Sequence, residues 1–201
     1  MQVTKAAEGR SVAATARRAQ IVAAATEVIA EAGYRQASFA RIAKHAGLSS
    51  TRLISYHFAD KGELIREVAG TVFESIGRFM HERMAGHESA RELLEAYIRG
   101  VVGFTATHRA QMAALTQIFL NGGLDFDADD GAAASSHVEE ILRHGQRTGE
   151  FRDFDPRVVG TSVQRSVEGL PFLLAADPDV DTGAYADELV TMFDLATRAA
   201  S

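Results

Sequence analysis

Residues 38–65, SFARIAKHAGLSSTRLISYHFADKGELI, hold most of the side chains whose types and spacing could do chemistry. Arg52 is a planar fork of donors, able to grip two acceptors at once as a guanine edge presents them. Tyr56 and His57 carry donors for phosphate oxygens, and the hydroxyls of Ser38, Ser50, Thr51 and Ser55 add shorter ones. The small residues at 49–51 let a backbone come close to a large ligand. Lys61 adds positive charge near a helix start, where the helix dipole already favours an anion. The set contains no paired carboxylates and no nucleophile beside a base. Its chemistry is the gripping of anions and base edges.

Those side chains need short helices to aim them, and the apolar spacing is helical almost throughout. Ile21, Ala25, Val28, Ile29 and Ala32 share one stripe, ended by Gly33. Ser38 caps a short second helix with Phe39, Ile42, Ala43 and Ala46 inward, and Gly47 stops it. Ser49 or Ser50 caps a third, with Ile54 and Phe58 inward at i and i+4. Asp60 caps a fourth, whose stripe runs Leu64, Val68, Val72, Ile76, Phe79 and Met80. Two short helices joined by a glycine turn are what a helix-turn-helix requires: the first braces and the second enters the major groove.

Further along, Leu94, Ile98, Val101 and Thr105 mark a fifth helix, Met112, Leu115 and Phe119 a sixth, and Val138, Ile141 and Leu142 a seventh. NGGLDFDADDG (121–131) reads as a turn-rich loop. Pro156 suits the first turn of an eighth helix, which Pro171 should kink or split. Tyr185, Leu189, Met192, Phe193 and Ala196 mark a ninth. The fold class is therefore all-α with about nine helices.

The chain has 201 residues, 46% of them apolar and 24% charged, enough for a sizeable core. There is no cysteine, which excludes disulfides, thiolate metal sites and thiol nucleophiles. No apolar run reaches the roughly 18 residues of a membrane span, and the first residues lack the apolar core of a signal peptide. A soluble, cytoplasmic protein without membrane contact is expected. The net charge of −6 hides an asymmetry. Residues 1–62 hold nine Lys or Arg against four acids, a net of +5, and residues 63–201 hold twelve against twenty-three, a net of −11. A basic head on an acidic body suggests that the head meets a polyanion. The expected organisation is a helix-turn-helix domain over 1–62, with 1–15 a flexible arm, and a helical effector-binding and dimerisation domain over 63–201.

The head resembles the DNA-binding domain of the TetR family of bacterial transcriptional regulators. The resemblance rests on Gly33-Tyr34, Ser38-Phe39, Ile42-Ala43, Ala46-Gly47, Ile54-Ser55-Tyr56-His57-Phe58, Lys61 and Leu64. It implies three N-terminal helices for double-stranded DNA, a connecting fourth, and a helical body that dimerises and encloses a small-molecule pocket. The function so implied is a ligand-responsive regulator, read as a repressor that a small apolar or amphipathic molecule releases from a near-palindromic operator. Between Gly47 and Phe58 lie ten residues, one more than the family's common pattern. Counting back from Phe58 sets Thr51 and Arg52 toward the bases. It also puts Ser55 where many relatives have a phosphate-binding tyrosine, so Tyr56, His57 and Lys61 would carry more of the phosphate grip.

With the resemblance, Phe79, Met80, Met84, Tyr97, Phe104, Met112, Leu115 and Phe119 become candidates to line an effector cavity, with Gln164 as a polar member. Val163, Val167, Leu170, Leu174, Leu189, Met192, Phe193 and Ala196 are candidates for a homodimer interface between paired C-terminal helices. No metal or cofactor is expected. The acidic run 125–136 has Asp130 and Ser136 where a calcium loop needs Gly and Glu, and His81-Glu82 lacks the second histidine of a zinc helix. The lone His108, His137 and His144 read as ordinary helix histidines. A reading from another class, a small helical enzyme or ligand carrier with an incidental basic N-terminal region, would need convergent ionisable residues, and the sequence offers none.

Overall fold

A computed structural model describes residues 3–124 and 128–199, with side chains over 12–124 and 137–199. The described residues form ten α-helices: α1 (Val3–Ala32), α2 (Phe39–His45), α3 (Arg52–His57), α4 (Lys61–Met84), α5 (Ala90–Thr107), α6 (Arg109–Leu120), α7 (Ala128–Thr148), α8 (Pro156–Glu168), α9 (Leu170–Ala176) and α10 (Thr182–Thr197). A single 3-10 turn, Tyr34–Gln36, separates α1 from α2. None of these helices is long and apolar enough to cross a membrane.

The tenth helix arises at Pro171. Proline lacks the N–H that a continuing helix needs, so the chain stops at Glu168, turns through Gly169 and restarts as α9. Tyr185 on α10 donates its hydroxyl to the Ser166 carbonyl at 2.6 Å, partnering one of the acceptors exposed at the end of α8. At the N-terminus α1 runs back to Val3, so residues 3–15 are helical where an arm was expected. The loop expected over 121–131 ends sooner, because α7 begins at Ala128. Residues 125–127 and the side chains of the acidic run 125–136 lie outside the described residues.

The chain divides into two compact units. One comprises Met1–Phe73 with Ala110–Asp125, the other Glu74–Arg109 with Phe126–Ser201. The division falls inside α4 rather than at residue 62, and α6 goes with the head. Ala114 and Ile118 are fully buried in the cluster that holds Ile21, Val28, Ile42, Ile54, Phe58 and Leu64.

In the second unit α5, α7, α8, α9 and α10 contribute Ile98, Val102, Leu142, Val163, Val167, Leu170, Leu189 and Phe193 to one core. This corrects the expected interface. Val163, Val167, Leu170, Leu189 and Phe193 are buried by their own chain, and Leu174 packs partly buried against the same cluster. Of that set only Met192 and Ala196 are exposed. An apolar stripe marks a buried face without saying which helix covers it, and here α5 and α7 do.

The loop after α7 is tied to the end of α10. Arg152 N–H donates to Thr197 O at 2.9 Å and Ala199 N–H to Glu150 O at 3.1 Å. Phe151 is thereby pressed onto α7, where a Cβ on Gly145 would come within 2.1 Å of its ring. Gly to Ala inside a helix ordinarily stabilises by up to about 1 kcal/mol. Gly145→Ala should instead destabilise by about 1–3 kcal/mol through overpacking, read as a lower urea midpoint.

Candidate nucleic-acid interface

The N-terminal unit builds its candidate site from caps, a glycine turn and two anchors. Ser38 accepts from Arg41 N–H at 3.3 Å and opens α2. The end of α2 closes with Leu48 N–H on Ala43 O at 2.8 Å and Gly47 N–H on Lys44 O at 3.2 Å. That paired closure needs a left-handed residue at its hinge, and Gly47 has φ +64°. Gln20 on α1 reaches the Ala46 carbonyl at 2.8 Å, and His45 meets Glu27 at 2.5 Å, so the turn is tied to α1 on both sides.

The additional residue between Gly47 and Phe58 is absorbed before α3. Thr51 has helical dihedrals, and Leu53 and Ile54 close tight three-residue turns onto Ser50 O and Thr51 O at 3.3 and 2.9 Å. Ser50 Oγ accepts from Arg52 N–H at 3.1 Å, while Thr51 makes no side-chain cap. The helix keeps its phase: Ile54 is 0% and Phe58 1% exposed. Arg52 and Tyr56 lie two residues to either side of Ile54. At about 100° per residue both face directly away from the core. Arg52 is exposed and Tyr56 is 81% exposed. Thr51, Leu53 and Ser55 flank them, exposed as well, and together they make a polar surface with one apolar shoulder at Leu53.

His57 is half-buried, its ring set edge-on to Tyr56 at 5.1 Å between centroids. Lys61 differs most from expectation. Its Nζ donates to Tyr34 O at 2.8 Å and lies 4.5 Å from the centre of the Tyr34 ring, and burial lowers its pKa from the usual lysine value. One of its donors is therefore spent inside the chain. Tyr34 itself rests on Gly123, where a Cβ would fall 2.6 Å from the ring, and the neighbouring Arg35 meets Asn121 at 3.1 Å.

Two exposed cations on α2, Arg41 and Lys44, stand in the same unit, and Arg41 donates to Gln36 at 3.0 Å. In the sequence they contributed only net charge. Arg18 was counted with them, yet it is turned inward. It forks onto Glu67 at 2.9 and 3.1 Å, reaches Glu63 at 3.3 Å and donates to His57 O at 2.6 Å. No local signal in α1 announces this, because every partner is 39–49 residues away.

The candidate cavity residues are divided between the two units. Met112, Leu115 and Phe119 belong to the first, with Phe119 6.2 Å from Phe73. The others belong to the second and pack against one another or into its core. Phe79 meets Phe104 edge-on at 5.4 Å, Met80 lies over Gly100 where a Cβ would sit 2.7 Å from its sulfur, and Tyr97 donates to Gln164. Burial and the nearby Glu168 charge push the Tyr97 phenol up to about 12. None of these residues borders a cleft of about 360 Å3 between α5 and α10, lined by Leu94, Ile98, Phe151, Asp194 and Leu195 among others.

Comparison with known proteins matches this geometry. The sequence model of the tetR family of bacterial regulatory proteins matches residues 21–68, which span the C-terminal part of α1, the 3-10 turn, α2, α3 and the first turns of α4. The likeness to the tetR family is carried by this segment. It is 38% identical over 85 residues to the HTH-type transcriptional regulator BetI 1 of Chromohalobacter salexigens, covering 42% of each chain. It is 33% identical over 102 residues to the HTH-type transcriptional regulator BetI of Escherichia coli, covering 49% of this chain and 51% of that one. The chain thus spans about half the length of the curated relatives it matches. The same fold recurs in a transcriptional regulator from Saccharomonospora viridis solved in complex with choline, at a TM-score of 0.80 and 20% identity over 92% of this chain and 100% of that one. AibR, solved with isovaleryl coenzyme A and operator DNA, matches at 0.77 and 18% over 88% and 97%. Those two likenesses show the fold.

The grip of Arg18 holds the Glu67 carboxyl below the usual 4.5. A depressed carboxyl contributes stability that is present above its unfolded value and lost as pH falls through the folded one. Glu67→Gln should therefore flatten the fall of stability with pH below about 4.5, measured as denaturant midpoints at a series of pH values.

Proposed function

We propose that this chain is a DNA-binding transcriptional regulator that reads a near-palindromic operator as a homodimer and acts as a repressor. A small apolar or amphipathic molecule would release it. One observation carries the reading: Arg52 and Tyr56 project from the outer face of α3 while Ile54 and Phe58 lock its inner face into the core. A helix held so firmly from behind presents its front residues at a reproducible angle, as insertion into a major groove demands.

Arg52 is the proposed base-reading fork. Tyr56 shares its face, with Thr51 and Ser55 beside them. Ser38, Ser50 and His57 supply phosphate donors around the helix, and Lys61 supplies what its bond to Tyr34 leaves free. Lys44 and Arg41 add exposed charge along α2. Leu53, 37% exposed, suits the methyl group of a thymine.

A two-fold pair would set two such helices about 34–36 Å apart, or a multiple, on one face of the duplex. Because five of the eight expected interface residues are internal, the proposed dimer surface moves to the exposed apolar side chains: Met192 and Leu195 on α10, Phe172 and Leu173 on α9, and Val158 on α8. Release by a small molecule is supported by the two structural neighbours solved with choline and with isovaleryl coenzyme A. Such a molecule shifts DNA affinity only by its differential affinity for two conformations of the protein.

Footprinting on the DNA flanking the gene tests the core of the reading; a protected near-palindrome supports it, and uniform affinity for random DNA at physiological salt would sink it. On that site Arg52→Ala should cost about 1–3 kcal/mol and relax preference at one base position. Lys44→Ala should weaken all sequences alike and lower the slope of log affinity against log salt by about 0.9. In sedimentation, Leu195→Asp should shift the dimer toward monomer while the helical circular dichroism stays unchanged.

A further inference from the structure

We propose that Arg18 on α1 is the positioning residue of the DNA-reading helix, a clamp that fixes the C-terminal end of α3 to the first turns of α4. The inference rests on the proposed role of α3 and adds how its aim is set.

The need for a clamp follows from length. A six-residue helix closes too few internal bonds to be stable alone, and its last carbonyls have no partner within it. Ile54 and Phe58 anchor the inner face, but neither side chain can bond the carbonyls at the C-terminal end of the helix. Arg18 supplies the missing constraint. Its Nη1 donates to the His57 carbonyl at 2.6 Å, placing a full positive charge at the negative end of α3. Its Nε and Nη2 grip both oxygens of Glu67 at 3.1 and 2.9 Å, and Nη2 also reaches Glu63 at 3.3 Å. The guanidinium lies 4.2 Å from the centre of the Phe58 ring. Glu63 extends the tie, since its second oxygen accepts from Ala59 N–H at 2.7 Å, just past α3.

All three nitrogens of the fork are occupied by its own chain, and the direction of each is set by the planar group. Lysine offers a single ammonium and cannot bridge a carbonyl and both carboxylate oxygens in this arrangement. Four of its five N–H groups are so engaged, and the two carboxylates that face it offset its charge, which disfavours a phosphate contact. Arg18 therefore acts on DNA through α3, not by contact.

The test compares the full-length wild-type chain with Arg18→Lys and Glu67→Gln, using backbone hydrogen exchange without DNA and affinity for the footprinted operator over a salt series. Both variants should raise exchange over residues 51–58 and leave α5, α7 and α10 unchanged. Arg18→Lys should weaken operator binding by about ten- to a hundredfold, the worth of one charged hydrogen bond, with the salt slope unchanged. Glu67→Gln, which keeps the carbonyl bond, should show a smaller loss of the same kind. A slope lowered by about one would overturn the clamp, because Arg18 would then be a phosphate contact. Unaltered exchange over 51–58 would overturn it equally, as would loss of fold in Arg18→Lys with wild-type exchange and affinity in Glu67→Gln. Absence of any DNA binding by the wild-type chain would strike the reading of α3 itself, and the exchange comparison would still decide whether the clamp holds the helix.

Discussion

The burial of Ile54 and Phe58 is the constraint from which the rest of the N-terminal unit follows. A helix as short as α3 has no stability of its own, so its existence and its angle both come from what holds its inner face. With those two side chains fully buried among residues of α1, α2, α4 and α6, the opposite face has to carry Arg52 and Tyr56 outward. The outward face is polar because it is the only part of α3 that water must accept.

The surrounding contacts serve that placement. Gly47 lets α2 end in a closed turn that no side chain at its left-handed φ would favour, and Ser38 fixes where α2 starts. Ties from Gln20 and Glu27 hold the turn to α1, and the inward fork of Arg18 holds the far end of α3. The head's formal positive charge is thereby reduced where it is structural and left exposed where a polyanion could meet it. Arg18 is neutralised by two carboxylates, whereas Arg41, Lys44 and Arg52 remain at the surface.

Much of the fold was legible along the chain because helix signals are local. Caps at Ser38 and Asp60, Pro156 in the first turn of α8, stops at Gly33 and Gly47, and the break at Pro171 all act within a few residues of themselves. The phase of α3 was legible too, since Ile54 and Phe58 repeat at i and i+4. The C-terminal stripe was read correctly as buried but assigned to the wrong partner. Val163, Val167 and Leu170 share a core with residues of α5 and α7 of the same chain, and nothing in a stripe distinguishes an internal neighbour from a second copy.

By itself, then, the sequence determined where most helices begin and end, which faces are apolar, and that the head resembles a TetR-type helix-turn-helix. Tertiary structure alone decided what those faces meet. It sent α6 to the head, turned Arg18 and Lys61 onto backbone carbonyls far along the chain, and left Met192 and Leu195 rather than Phe193 at the surface. The reason is physical: capping and periodicity are properties of neighbouring residues, whereas a hydrogen-bond partner or a covering helix is chosen by packing the whole chain at once.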